Sequence, residues 1–587
     1  MSLTTPRAGA QVLADGRTCF QLWAPDAVRV AVELEDVGVF PLQAQANGWF
    51  AALVECPAGS AYYYRIDDHL RVPDPASRAQ REGLQGPSLV VDSAFAWRTV
   101  HWQGRPWTES VIYELHVGTL GGFAGVERHL RRLVELGVTA IELMPINTFP
   151  GTRNWGYDGS LIYAPQPSYG TPDELKHLID SAHQLGLQVF LDVVYNHFGP
   201  EGNYLGQYAS SFFRDDLHTP WGQAIDFRRS QVRDFFIDNA LMWLFEYRFD
   251  GLRLDAVHAI SEQYFLTELA AQVKTHTPPG RQVHLILENE GNTAGLLSQG
   301  FTAQWNDDGH NVLHVLLTGE QDAYYSDFAD DPTGKLARCL AEGFVYQGQT
   351  NRHGHARGEP SAHLPPCAFV LFLQNHDQIG NRALGERLIN LCQPRALRAA
   401  TTLLLLSPQV PLLFMGEEWG SRQPFLFFTD HHDELAEAVR NGRRNEFAAF
   451  PQFSDPASRA RIPDPNALET FSRSIPDQTL GEPEQQQWLG FYRALLALRH
   501  QALTSRLSGA QALGCQVVGP GAVSARWRLG DDSLLSIAMN LGSQAVELKK
   551  PQGRLLFESD VQAAVAIAKS QLPGHSTLVY LEEHSHA

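Results

Sequence analysis

The stretch FDGLRLDAVHA, residues 249–259, sets Arg253 and Asp255 into a run that otherwise reads as a buried strand. Phe249, Leu252, Leu254 and Val257 are the side chains a core wants. Arg253 and Asp255 lie two positions apart, so on a strand they face the same side. A structural ion pair is one reading, although desolvation makes buried pairs poor stabilisers. The sequence on either side decides whether a second reading, a functional site at a strand end, is the better one.

From 108 to 502 strand and helix patterns alternate. VIYELHV (111–117) precedes the amphipathic VERHLRRLVELG, and VTAIELMPI precedes TPDELKHLIDSAHQLG, where Thr171, Pro172 and Glu174 form a capping-box start with Pro at the first helical position. LQVFLDVVYNH leads to the helix SQVRDFFIDNALMWLFEYR, and the opening stretch to SEQYFLTELAAQVKTH. VHLILENE, FTAQWND, CAFVLFLQNHD and VPLLFMGEEW complete a set of eight strands, with further helices near 393–407 and 486–501. Eight βα units over about 400 residues predict a (β/α)₈ TIM barrel with long loops. A doubly wound open sheet is the competitor, but no GxGxxG follows a strand.

The flanks read differently. Residues 1–95 carry short strand patterns such as CFQLWAP, VRVAVELE, GWFAALVE and AYYYRID, expected to form an immunoglobulin-like β-sandwich. Residues 96–107 read as a linker, and 503–587 as a C-terminal β-sandwich domain in which helices stop. The 587 residues carry a net charge of −19, which argues against a nucleic-acid partner. Six cysteines without CxxC or metal spacing suggest thiols in a reducing compartment. The N-terminus lacks the apolar core of a signal peptide, and the longest apolar run, TTLLLLSPQVPLLFMG, is interrupted by Pro408 and Pro411. A cytoplasmic protein with no membrane contact is the expectation.

In a barrel, groups at the C-terminal strand ends meet at one mouth. Four strands end in polar residues: Asn196 and His197, Arg253 and Asp255, Glu288, and His376 with Asp377. Two carboxylates flanking one bond are the tools of glycoside cleavage. Asp255 beside Arg253 should stay ionised, as a nucleophile must. Glu288 follows an apolar run and precedes Glu290, so desolvation and like charge should raise its pKa, as a general acid requires. Asp377, His197 and His376 are then free to hold sugar hydroxyls. Zinc spacing such as HExxH is absent, and Asp192 with Asn196 makes no dedicated calcium cage, so no metal or other cofactor is expected.

The segments DVVYNH (192–197), GLRLDAVH (251–258), ENE (288–290) and NHD (375–377) resemble, in order and spacing, the strand-end signatures of the alpha-amylase superfamily of retaining glycosidases and transglycosylases. The resemblance implies Asp255 as nucleophile, Glu288 as acid/base and Asp377 as transition-state stabiliser. It implies Arg253 positioning the nucleophile, His197 and His376 binding the sugar, and Tyr157 of NWGYDG as the platform beneath it. Within the superfamily, NHFGPEGNYL with TPWGQAIDF, AQWNDDGHNVLH, QNHDQIGNRALGERL, MGEEWGSRQPFLFFTDH and GRRNEFAAF resemble the malto-oligosyltrehalose trehalohydrolase family. That likeness implies release of trehalose from malto-oligosyltrehalose, with related α-1,4-glucans as possible ligands and a malto-oligosyltrehalose synthase as functional companion. Asp307, Arg443 and Glu446 are the expected contacts to the trehalose side, although Arg443 and Glu446, three apart, also fit a helix-surface pair.

Two competitors stand beside this reading. A glycogen or α-glucan branching enzyme shares VIYELHVGTL, the N-terminal sandwich and the same glycosyl-enzyme chemistry. A catalytically silent carbohydrate-binding barrel would have no need of Asp255, Glu288 and Asp377 together.

Overall fold

In the computed structural model, which describes residues 8–583, the eight expected strands close into a parallel barrel. They are β1 (Ile112–Leu115), β2 (Ala140–Leu143), β3 (Gln188–Val193), β4 (Gly251–Leu254), β5 (His284–Leu287), β6 (Ala303–Trp305), β7 (Phe369–Phe372) and β8 (Val410–Phe414). Pairing of Ile112 with Leu412 shuts the seam between β1 and β8.

Strand periodicity explains the interior. Ile112, Ala140, Phe190, Ile286, Ala303, Val370, Val410 and Leu412 fill one apolar cluster inside the barrel, floored by Trp107 from the linker. Two residues further along, on the same face, several strands carry a polar group: Glu114, Glu142, Asp192 and Glu288. Arg253 follows Gly251 in the same way, and at Gly251 an added Cβ would meet the His284 carbonyl at 2.5 Å. The barrel is therefore oily below and charged above, and the change falls within one pleat.

Helices Gly122–Leu136, Pro172–Gln184, Ser230–Leu241, Tyr264–His276, Asp307–Thr318, Pro394–Leu406 and Pro483–Leu498 surround it. Thr171 and Glu174 make the reciprocal capping box, with Pro172 at the first turn. The helix beginning at Ser230 ends earlier than its sequence pattern suggests, because Met242–Glu246 winds as a π turn. Phe213–Thr219 and Gly222–Ile225 form a hairpin before it.

Ahead of the barrel, one sheet of four strands and another of five pack through a shared core containing Phe20, Leu22, Val32, Tyr62 and Tyr64. After it comes a five-stranded antiparallel sheet with a two-stranded companion. Helix does not stop at 503, as the sequence pattern suggests: Ala563–Ile567 is helical and buries Ala563 and Ile567 against Leu572 and Leu578. Its five residues are too short for periodicity to stand out. The six cysteines are unpaired. Among the described residues no helix is long and apolar enough to cross a membrane.

Candidate active site

Arg253 is the hub. Its side chain is fully buried, lies 4.2 Å above the Trp305 ring, and reaches three carboxylates: Asp192 at 2.8 Å, Asp255 at 2.7 Å and Glu288 at 2.9 Å. The contact to Glu288 is an ion pair without hydrogen-bond alignment, and Nε and Nη2 find no acceptor in line. Asp255 is the first residue past β4. The left-handed backbone of Ala256 (φ 40°) turns the chain there, and Ala256 N donates to Glu288 Oε2 at 2.8 Å. Asn196 Nδ2 donates to both the carbonyl (2.8 Å) and Oδ2 (2.9 Å) of Asp255. The acids of β4 and β5 thus face each other across one guanidinium.

Asp377 completes the group from the β7 end. It is the most open of the three, its side chain 38% exposed against 12% for Asp255 and 18% for Glu288. Asn381 Nδ2 donates to its Oδ1 at 3.0 Å.

The electrostatics separate the acids. Burial alone would raise the Asp255 carboxyl, but Arg253, His197 and the Asn196 hydrogen bond outweigh it and hold it below its ordinary value. Glu288 goes the other way. Burial pushes it well up; Arg253 opposes the rise, and the charges of Asp255, Asp307 and Asp377 add to it. Glu290, the neighbour expected to supply that like charge, instead points outward, 71% exposed and 3.8 Å from His258. Backbone direction decides this: Glu288 ends the strand inward, and the chain has turned by Glu290.

The expected sugar-binding residues divide. Tyr157 donates its hydroxyl proton to Asp192 Oδ2 at 2.7 Å, lies 2.8 Å from His376 Nε2, and stacks on that imidazole at 5.1 Å. His197 has both ring nitrogens engaged by the protein, at Asn196 Oδ1 and at the Tyr157 carbonyl (2.9 Å). Its face is covered by Trp221, stacked at 4.8 Å and 11° from the hairpin tip. Trp221 is 48% exposed. In the sequence Trp221 stands between Pro220 and Gly222 in TPWG, and a large aromatic at such a turn is the signal that marks it.

Asp307 opens a helix beside the group and is pushed up to about 7 by burial, with Arg357 opposing and Asp308 reinforcing. Arg443 and Glu446 do form the helix pair, at 3.0 Å. Arg443 also donates to the carbonyls of Gly380 (2.6 Å) and Arg382 (3.2 Å), pinning the turn behind Asp377. Glu446 lines a cavity of about 290 Å3 with Tyr324, Arg382 and Phe453. A wider groove of about 640 Å3 opens by His258, Asn289 and Gly291, on the Glu288 side. Among the described residues no group of three or more His, Cys, Asp or Glu is arranged to hold a metal ion. Asp192 and Asn196 are occupied by Arg253 and Asp255.

Comparison with known proteins gives this geometry its context. The alpha amylase catalytic-domain family matches residues 97–240, and a domain of unknown function, DUF3459, matches 510–579. The malto-oligosyltrehalose trehalohydrolase of Deinococcus radiodurans is 41% identical over 557 residues, 90% of each chain. That of Saccharolobus solfataricus is 39% identical, covering 84% of this chain and 87% of its own. A crystal structure of an alpha-amylase candidate from Salmonella typhimurium, 43% identical, superposes with a TM-score of 0.92 over 98% of this chain and 99% of that one.

Proposed function

The chain belongs to the malto-oligosyltrehalose trehalohydrolase family of the alpha-amylase superfamily, and on that premise we propose that its three converging carboxylates hydrolyse the α-1,4-glucosidic bond next to the terminal trehalose unit of malto-oligosyltrehalose. The observation that carries the reading is the shared guanidinium: Asp255 and Glu288, from different strands, lie 2.7 and 2.9 Å from Arg253. Retaining glycosidases hold their two carboxyl groups about 5–5.5 Å apart, and a single guanidinium between them keeps the pair close.

Asp255, kept ionised, attacks the anomeric carbon of the glucosyl unit above Tyr157. Glu288, kept protonated, gives its proton to the departing oxygen, and trehalose leaves with the bonding pair of the broken C–O bond. Glu288, now a carboxylate, takes a proton from water as the water oxygen displaces Asp255. The malto-oligosaccharide is freed and both acids return to their starting states. Asp377, with its exposed oxygens, holds the sugar hydroxyls while the ring flattens, and His376 assists beside it.

The side on which Glu288 lies is the leaving-group side. The groove by His258 and Asn289 therefore receives trehalose, and Asp307 acts through its charge on Glu288. Arg443 acts by holding the turn that carries Asp377. Glu446 lines the other cavity, with Tyr324 and Phe453, and its aromatic walls suit the remaining glucan chain. A malto-oligosyltrehalose synthase supplies the substrate, and both steps belong in the cytoplasm.

The test is an incubation with malto-oligosyltrehalose beside plain maltopentaose, products separated by chromatography. Fast trehalose release from the first and slow or no cleavage of the second is the expected result. Transfer of glucan chains without trehalose release would install the branching reaction instead, and binding without turnover would install a silent barrel.

A further inference from the structure

Glu114 is buried inside the barrel on β1, 1% exposed, and the reaction steps above leave it without a task. It grips His376 twice. The backbone N of His376 donates to Oε2 at 3.1 Å, and Nδ1 makes a close contact with Oε1. The other ring nitrogen, Nε2, meets the Tyr157 oxygen at 2.8 Å.

Counting protons along this chain fixes the state of the ring. Tyr157 has one hydroxyl proton, and it goes to Asp192 Oδ2. Both Asp192 oxygens already accept from Arg253 Nη1, at 2.9 and 2.8 Å, so Asp192 stands as an acceptor toward Tyr157. The Tyr157 oxygen must then receive a hydrogen bond from Nε2. Nδ1 faces a carboxylate oxygen, and two bare acceptors do not pair. Both ring nitrogens carry hydrogen, so the imidazole is a cation.

We propose that Glu114 is a positioning residue that keeps His376 a doubly protonated cation, aimed by its two ring nitrogens at Glu114 and Tyr157 and lying beside Asp377. This rests on the proposed glycosidase reading for its consequence, though not for its geometry. A fixed cation lies 3.6 Å from Asp377 Oδ1, beside the place where positive charge develops on the sugar ring. It also presents Tyr157 flat beneath the sugar.

The charged and titratable groups facing His376 come from four strands across the barrel. Glu114 lies on β1, Glu142 on β2, Asp192 on β3 and Arg253 on β4, with Asp377 adjacent and His116 past the end of β1. Burial disfavours the charged ring; Glu114 and Asp377 outweigh it and bring His376 up to about 9. Glu142 differs in kind from Glu114. Both its oxygens are buried without a hydrogen bond, and burial plus the charges of Glu114 and Asp192 push its carboxyl well up. Its carboxyl is displaced toward the neutral form, and of the two Glu114 is the carboxyl group that contacts the ring.

The test reads the ring directly. In protein labelled with ¹⁵N at histidine, the His376 resonance is identified by its loss in His376→Gln and followed against pH. Wild type should stay doubly protonated through pH 8. In Glu114→Gln the midpoint should fall by about one unit or more, and kcat/KM relative to wild type should drop about tenfold further at pH 8 than at pH 6. Glu114→Asp should recover part of the midpoint, and Glu142→Gln should leave it in place. A neutral His376 ring in wild type at pH 7.5 overturns the proposal, and this needs no variant beyond the assignment. An activity loss in Glu114→Gln that is equal at both pH values, with the midpoint unmoved, also overturns it. Failure of the protein to release trehalose, with the ring still cationic, would sink the glycosidase reading and leave the pairing standing.

Discussion

Strand β4 carries an aspartate at each end, and the two live in opposite circumstances. Asp250, just before the strand, is completely buried and answered on every side: His183 Nε2 at 2.9 Å, Arg281 Nη1 at 2.6 Å, Trp102 Nε1 at 2.8 Å and Val189 N at 2.9 Å. Asp255, just after it, shares one guanidinium with Asp192 and Glu288, and that guanidinium has nitrogens left out of line. A carboxylate surrounded by donors is held in place and finished. A carboxylate that must compete for its cation keeps capacity for a reacting sugar, and the neighbours it repels gain the raised pKa an acid catalyst requires. Even the aromatic covers match: Trp102 stacks on His183 at 4.6 Å, and Trp221 on His197 at 4.8 Å.

The comparison predicts that activity and stability come apart along a single strand. Asp255→Asn should lower kcat on malto-oligosyltrehalose by roughly 10⁴–10⁶-fold, the loss typical of removing a nucleophile. Its thermal midpoint should stay near wild type, because Arg253 keeps Asp192 as its anion and its place over the Trp305 ring. A large fall in that midpoint would mean that Asp255 is a structural residue like its partner below.

Asp250→Asn is the converse. It leaves Arg281, 9% exposed, and fully buried His183 without their anion, and breaking a buried pair in this way costs about 3–5 kcal/mol. Activity per folded molecule should persist. In wild type, burial raises the Asp250 carboxyl, but His183 first and then Arg281 and Trp102 hold it below its ordinary value. A depressed carboxyl contributes stability above the unfolded pKa of about 3.9, and that contribution is lost as pH falls toward the folded value. Denaturant unfolding should therefore lose less stability between pH 5 and 3 in Asp250→Asn than in wild type.

The opening stretch FDGLRLDAVHA contains both aspartates, and nothing in it says which one is catalytic. Spacing against the other strand ends singles out Asp255; the side-chain donors around Asp250 come from residues 102, 183 and 281 and have no local signature. The barrel was legible because eight apolar runs keep their periodicity. Glu114 and Glu142 carried the same clue as Arg253, a charge in mid-strand, in VIYELHV and VTAIELMPI. Nothing local marks their role, since the His376 that Glu114 grips lies 262 positions further along the chain. Arg357, which donates to the Glu290 carbonyl at 2.7 Å and pairs with Asp308 at 2.8 Å, sits in a strand of two residues, too short to carry a period.

A milder change at the mouth sharpens the electrostatic half of the contrast. Asp307→Asn removes one like charge from Glu288. The Glu288 pKa should fall, and since the acid must be protonated to act, the alkaline limb of kcat/KM should move to lower pH. The acidic limb, which reports Asp255, should stay. An alkaline limb that does not move would remove Asp307 from the field at Glu288.

The smallest effect is expected where the two tryptophan covers diverge. Trp102 donates to Asp250 and so belongs to the closed cluster, whereas Trp221 has half of its surface in solvent at a hairpin tip. That hairpin is tied back by Arg214, which reaches Asp216 at 2.6 Å and Glu262 at 2.7 Å. Trp221→Ala should leave the fold intact while removing the aromatic face over His197. An aromatic contact contributes about 1 kcal/mol beyond its buried area, so KM for malto-oligosyltrehalose should rise a few-fold with kcat and the thermal midpoint little changed. A fall in the midpoint with KM unchanged would put Trp221 in the same structural class as Trp102, and the mouth would then be closed at the one edge where the comparison requires it to be open.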